Sequence, residues 1–178
     1  MITIVETCWG PSPIDDVPYW HLVGASWLLY NNVRVGKGAL LSVSAGIAAE
    51  PQIHNAQTPY SFSRRDDAKE VLFEEIRRTR YPHRPSRFKA LYVFDDYSLV
   101  QRALAEWFPN EEKIVHECRL LLGSATHKAD SAWLNASPDQ WAVNAQRYWE
   151  GAMTERPFPE VLVHGAIYFP GWKSFSDA

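Results

Sequence analysis

The chain has 178 residues, 46% apolar and 13% aromatic, with a net charge of −3. This length and composition suffice for one buried core and predict a single domain over residues 19–178 behind an irregular N-terminal arm, residues 1–18. The charge excludes a chain that is basic throughout, and the apolar runs fall far short of the roughly 20 residues that span a bilayer.

The start, Met1-Ile2-Thr3-Ile4-Val5-Glu6, lacks the basic head and long apolar middle of a signal peptide, which predicts a soluble, cytoplasmic protein with no membrane partner. Gly10-Pro11-Ser12-Pro13 and Pro18 mark the arm as irregular. Strand material follows from Tyr19 to Trp27. Asn31-Asn32 and the glycines at 36 and 38 predict turns around a short strand, and no phosphate-loop pattern continues from them. A helix over 68–80 is predicted from the stripe Ala68, Val71, Leu72, Phe73 and Ile76, with acids in its first turn, bases in its last and Pro82 beyond.

Phe88 to Phe94 reads as a strand by alternation. Asp95-Asp96-Tyr97-Ser98 cap a second helix, Leu99 to Trp107, stopped by Pro109-Asn110. Ile114 to Leu122 is the next strand, and Ser137-Pro138-Asp139 introduces a helix from Gln140 to Gly151 with Trp141, Ala145, Tyr148 and Trp149 on one stripe. The last strand runs from Glu160 to Phe169, bent at Gly165. Few strands, long loops and the missing phosphate loop favour an α+β fold with mainly antiparallel sheets over a doubly wound one.

Cys8 and Cys118 lack zinc spacing and are too few for a disulfide framework, so both are expected as packed thiols. The six histidines, His21, His54, His83, His116, His127 and His164, are scattered, and no metal is expected. Arg64, Arg65, Arg77, Arg78, Arg80, Arg84, Arg87 and Lys89 crowd one stretch that suits phosphates of a dinucleotide or nucleic acid. The same stretch also reads as a solvated helix face with pairs such as Glu74 and Arg78.

Glu160 opens the run Pro159-Glu160-Val161-Leu162-Val163-His164-Gly165, where a carboxylate stands directly before strand-forming residues. It is either held rigidly at a sheet rim or simply ends the loop Arg156-Pro157-Phe158-Pro159 facing water. Tyr19-Trp20-His21-Leu22-Val23 and Ala90-Leu91-Tyr92-Val93-Phe94 likewise set one polar or hydroxyl-bearing residue in a short apolar run. His21 and Tyr92 also fit as ordinary strand residues, and the tryptophans as core.

In order and flanking strands, His21, Tyr92 and Glu160 resemble the His-Tyr-Glu pattern of the poly(ADP-ribose) polymerase and diphtheria-toxin branch of the ADP-ribosyltransferases. The resemblance runs from about Trp20 to Trp172. The blocks Phe73-Glu74-Glu75-Ile76-Arg77, Tyr81-Pro82, Pro85-Ser86-Arg87 and Arg147-Tyr148-Trp149-Glu150-Gly151 are similar to an uncharacterised bacterial and phage group of that superfamily.

The resemblance implies split antiparallel sheets with flanking helices and NAD as co-substrate, with no metal. ADP-ribose would pass to a macromolecular acceptor, protein or nucleic acid, in a toxin, defence or phage setting. It gives Glu160 the ribosyl cation, His21 the adenosine ribose, Tyr92 the nicotinamide ring, and Ser86 and Arg87 the pyrophosphate or amide. Phe158 stands where arginine-directed relatives carry a second Glu, which disfavours arginine acceptors, and Leu22-Val23 replaces the usual glycine after the histidine. The small chain favours single transfer over polymer growth. Two alternatives stay open: a non-catalytic nucleic-acid or protein binding module, and an NAD glycohydrolase.

Overall fold

The computed structural model describes residues 2–24 and 27–175. In chain order the elements are β1 (Ile2–Thr7), β2 (Gly10–Asp15), β3 (Tyr19–Gly24), α1 (Trp27–Val35), β4 (Ala39–Leu41), α2 (Val43–Ala49), α3 (Pro59–Arg64) and α4 (Ala68–Arg80). They continue with β5 (Leu91–Val93), α5 (Tyr97–Trp107), β6 (Lys113–Leu120), β7 (Ala125–Asp130), α6 (Trp141–Glu150), β8 (Pro159–His164) and β9 (Ala166–Tyr168). Short 3-10 turns lie at Pro51–Ile53, Ser131–Leu134, Pro138–Gln140 and Trp172–Ser174. The fold is α+β, and the sheet pairings described below are antiparallel, as expected.

The chain divides into two compact units, one of residues 1–41, 92–124 and 165–178, the other of residues 42–91 and 125–164. In the first unit the strands run β3-β6-β9-β4. His21 faces His116 across β3 and β6, Leu120 faces Ile167 across β6 and β9, and Ala39 faces Tyr168 across β4 and β9. Val33, Val100, Ala103, Cys118, Ile167 and Phe169 are fully buried there. Helix α5 starts where Asp96 accepts the Ser98 N–H at 2.8 Å and buries Val100 and Ala103, three residues apart on one face.

The N-terminal arm is not irregular. Residues 2–15 form the hairpin β1–β2, with Ile2 paired to Asp15 and Thr7 to Gly10. Pro11 and Pro13 read as strand breakers, yet N–H groups alternate between edges along a strand. Two prolines spaced by two leave gaps on one edge only, so the other edge can still pair. The buried Thr7 hydroxyl bonds Ser12 at 3.0 Å and closes the turn, and the Leu122 N–H to the Pro13 carbonyl at 2.9 Å ties the hairpin to its unit.

The expected strand from Tyr19 to Trp27 ends at Gly24; its residues 25 and 26 lie outside the described ones, and Trp27 already begins α1. The turns expected around Asn31-Asn32 are this same helix. Burial of Tyr30 and Val33, one turn apart, outweighs the weak helix propensity of the asparagines. Lys37 and Gly38, with φ of 52° and 95°, stop it.

A Cβ at Gly38 would meet the Trp172 and Tyr168 rings at 2.4 and 2.5 Å. Gly38→Ala is therefore expected to cost more than the roughly 1–2 kcal/mol of a left-handed residue, read as a lower urea midpoint. Cys118 is buried, and burial pushes its thiol up to about 12. Cys8 is exposed rather than packed.

In the second unit β7 pairs with β8, Ala129 opposite Glu160. Helix α4 has the bounds its stripe predicts, with Asp67 accepting the N–H groups of Lys69 and Glu70 at 3.0 and 3.3 Å. It packs on α6. Phe73 meets the Tyr148 ring edge-on at 5.7 Å, and the Trp149 indole N–H bonds the Phe73 carbonyl at 2.8 Å. Helices α2 and α3 and strand β7 lie in stretches where the sequence predicts no element, while the strand expected over 88–94 is cut to Leu91–Val93. Glu74 pairs with Arg77 at 2.8 Å rather than with Arg78. Among the described residues no helix is long and apolar enough to cross a membrane.

Candidate functional site

Glu160 is the second residue of β8 and does not face water; it is 4% exposed. Segment 152–158, which feeds β8, is pinned by Asp130. That carboxylate accepts the N–H groups of Ala132, Thr154 and Phe158 and the Thr154 hydroxyl, at 2.7 to 3.0 Å. Burial pushes the Asp130 carboxyl upward, but these four donors outweigh it and hold the group below its ordinary value. The entry to β8 is thereby fixed, and with it the backbone that carries Glu160.

The side chain of Glu160 is held as firmly. Arg87 Nη1 donates to its Oε1, and the Tyr148 hydroxyl donates to the same oxygen at 2.7 Å. Among the described residues, no hydrogen bond reaches Oε2 of Glu160. Arg87, also 4% exposed, gives Nη1 to the Tyr148 oxygen at 2.7 Å, Nε to Glu70 Oε2 at 3.0 Å and Nη2 to the Tyr60 hydroxyl at 2.8 Å. Its guanidinium carbon lies 5.4 Å from the Tyr60 ring centre and 5.2 Å from that of Tyr148.

Charge-assisted bonds of this kind are the strong ones, and a buried ion pair keeps its place only when its remaining donors and acceptors are met. Burial pushes both phenols above their ordinary value, so Tyr60 and Tyr148 stay protonated donors. The site is thus two carboxylates on one guanidinium, buttressed by two neutral phenols.

His127 backs this arrangement from β7. Its Nε2–H donates to the Tyr148 carbonyl at 3.0 Å, and its ring stacks on Trp149 at 5.5 Å and 24°. Burial lowers it from 6.5 to about 4. The unfolded chain therefore takes up a proton near pH 6.5 that the folded chain refuses. The stability contributed by the neutral ring is complete above that pH and is lost as pH falls toward 4. A urea series from pH 7 to pH 4 is expected to show this decline, and His127→Gln to flatten it.

Of the residues singled out by sequence, the structure brings Glu160 and Arg87 together in one unit. In the other it brings His21 to Tyr92, whose backbone carbonyl accepts the His21 Nδ1–H at 2.6 Å. His21 is half-buried, and burial lowers its imidazole below the ordinary value. Tyr92 is half-buried on β5. The Ser86 hydroxyl donates to Glu74 at 3.0 Å.

Glu70, Tyr60 and Tyr148 were not assigned to a site by sequence. Glu70 had a signal: it lies three residues before Phe73 on the face that α4 buries, and a carboxylate there requires a cation. Tyr148 lies on the buried stripe of α6, but nothing in its spacing says that its hydroxyl meets Arg87.

All five members of the cluster, Tyr60, Glu70, Arg87, Tyr148 and Glu160, fall in the span 49–170 matched by one family model, and so does Tyr92, whereas His21 precedes it. No curated protein is significantly similar to the chain in sequence. The matched span is more than half of the chain, which therefore belongs to the family described as "Protein of unknown function (DUF2441)".

Proposed function

We propose that the protein is an NAD-dependent mono-ADP-ribosyltransferase with the split antiparallel sheets of that superfamily, acting in the cytoplasm on a macromolecular acceptor. The observation that carries this reading is the state of Glu160. It is a carboxylate at the head of a strand, with Oε1 fixed by Arg87 and Tyr148 and Oε2 without a protein donor among the described residues. In the reaction the bond from ribose C1′ to nicotinamide breaks, its electron pair leaves with the neutral base, and C1′ turns cationic. A nucleophile of the acceptor then bonds C1′ and gives up its proton. A carboxylate that need not reorganise stabilises that cation most when its charge is greatest.

In this reading Glu160 faces the ribosyl cation, His21 bonds the adenosine ribose, Tyr92 stacks on nicotinamide and Ser86 lies near the pyrophosphate. The order of His21, Tyr92 and Glu160 on β3, β5 and β8 supports it. Arg87 acts on Glu160, because its guanidinium is committed to Glu70, Glu160, Tyr148 and Tyr60. The test is incubation with adenylate-labelled NAD and a cell extract. Label on a macromolecule, matched by released nicotinamide, is expected. Free ADP-ribose alone would make the protein a glycohydrolase.

A second reading rests on a separate observation. Arg78, Arg80 and Arg84 are exposed, and among the described residues none of their side chains is ion-paired. A binding module using them would hold RNA or DNA with steep salt dependence and release no nicotinamide.

A further inference from the structure

Glu70 is the second carboxylate on Arg87. A carboxylate matched to a guanidinium one for one presents a nearly neutral dipole, which does little for a cation forming nearby. Here one guanidinium is divided between two carboxylates, Glu70 on Nε and Glu160 on Nη1, and all three side chains are 5% exposed. The two phenols add hydrogen bonds without adding charge.

Helix α4 is built to deliver this carboxylate. Asp67 caps its start, Phe73 anchors the same face in the interior, and Glu70 lies between them. We infer that Glu70 is a positioning residue that takes up part of the Arg87 charge and so leaves Glu160 with the surplus negative charge that a ribosyl cation needs. The inference rests on the transferase reading. It adds a requirement: the chemistry depends on a carboxylate that acts only through Arg87.

The experiment compares Glu70→Gln and Glu70→Asp with wild type, and uses Glu75→Gln on the exposed side of the same helix as control. Melting curves establish folding, and nicotinamide release is followed over a range of NAD concentrations. Glu70→Gln keeps the shape and an acceptor for Arg87 Nε but removes the charge. It is expected to lose about tenfold or more in kcat with KM for NAD unchanged. Glu70→Asp is expected between Gln and wild type, and Glu75→Gln at the wild-type rate.

A purely structural role would lower the melting temperature and leave kcat of the folded protein intact, and that result overturns the inference. Should the Gln variant fail to fold, Glu70→Asn decides, because it too removes the charge and a wild-type kcat in it overturns the inference equally. Active wild type beside equally active Glu70 variants removes Glu70 alone. Wild type that releases no nicotinamide removes the transferase reading, and this inference with it.

Discussion

Replacing Arg87 by methionine is expected to destabilise the protein by about 3–5 kcal/mol, the usual cost of leaving a buried charge without its partner. Methionine fills much of the arginine stem but gives nothing to Glu70 and Glu160, each 4% exposed, or to the hydroxyls of Tyr60 and Tyr148 that Arg87 now meets. Two carboxylates would be left in the interior with no cation between them. Urea unfolding with near-ultraviolet circular dichroism measures the loss. Adding Glu70→Gln to the Arg87→Met variant is expected to recover part of it, since one of the stranded charges is removed. A loss below about 1 kcal/mol would be that of an exposed ion pair and would contradict the picture of an interior charge network.

Glu160→Gln is expected to lower the rate of nicotinamide release by about 10² or more, the scale of one preorganised transition-state contact, while changing stability far less than Arg87→Met. The amide oxygen can still accept from Arg87 and Tyr148, so the packing of β8 is kept. What disappears is the negative charge. Glutamine is the better substitution than alanine because alanine would strand Arg87 and the Tyr148 hydroxyl, mixing loss of fold with loss of chemistry. Affinity for NAD is expected to change far less than the rate, since the positive charge moves from the nicotinamide ring onto the ribose only in the transition state.

Elements whose structure follows from their own residues were legible in the sequence. The stripe and flanking charges of α4 place a helix at about Ala68 to Arg80, where it lies, and Gly165, with φ of 140° and Ser124 Oγ 2.3 Å from where a Cβ would stand, divides β8 from β9 as expected. Elements that exist through distant partners were not. Helix α1 depends on the burial of Tyr30 and Val33, and β7 takes its register from β8 beyond helix α6, Asp130 opposite Pro159 and Ala125 opposite His164; the β1–β2 hairpin is local but hides behind two prolines.

The site divides along the same line. Glu160 stands out because a carboxylate before a strand is locally odd. Glu70 and Tyr148 look like members of two helical faces until the packing of α4 on α6 brings both to Arg87. Sequence also shows that Arg87 lies two residues after Pro85 in a basic stretch, but only its burial shows that it serves the interior rather than the surface. A count of positive charges could not make that distinction.

The most direct measurement is a single-turnover assay of nicotinamide release from NAD by wild type and Glu160→Gln, with each protein's folded fraction set equal by its unfolding curve. The account predicts release by wild type and a rate lower by about two orders of magnitude in the variant. Equal rates in the two proteins, or no release by a fully folded wild type, would contradict it.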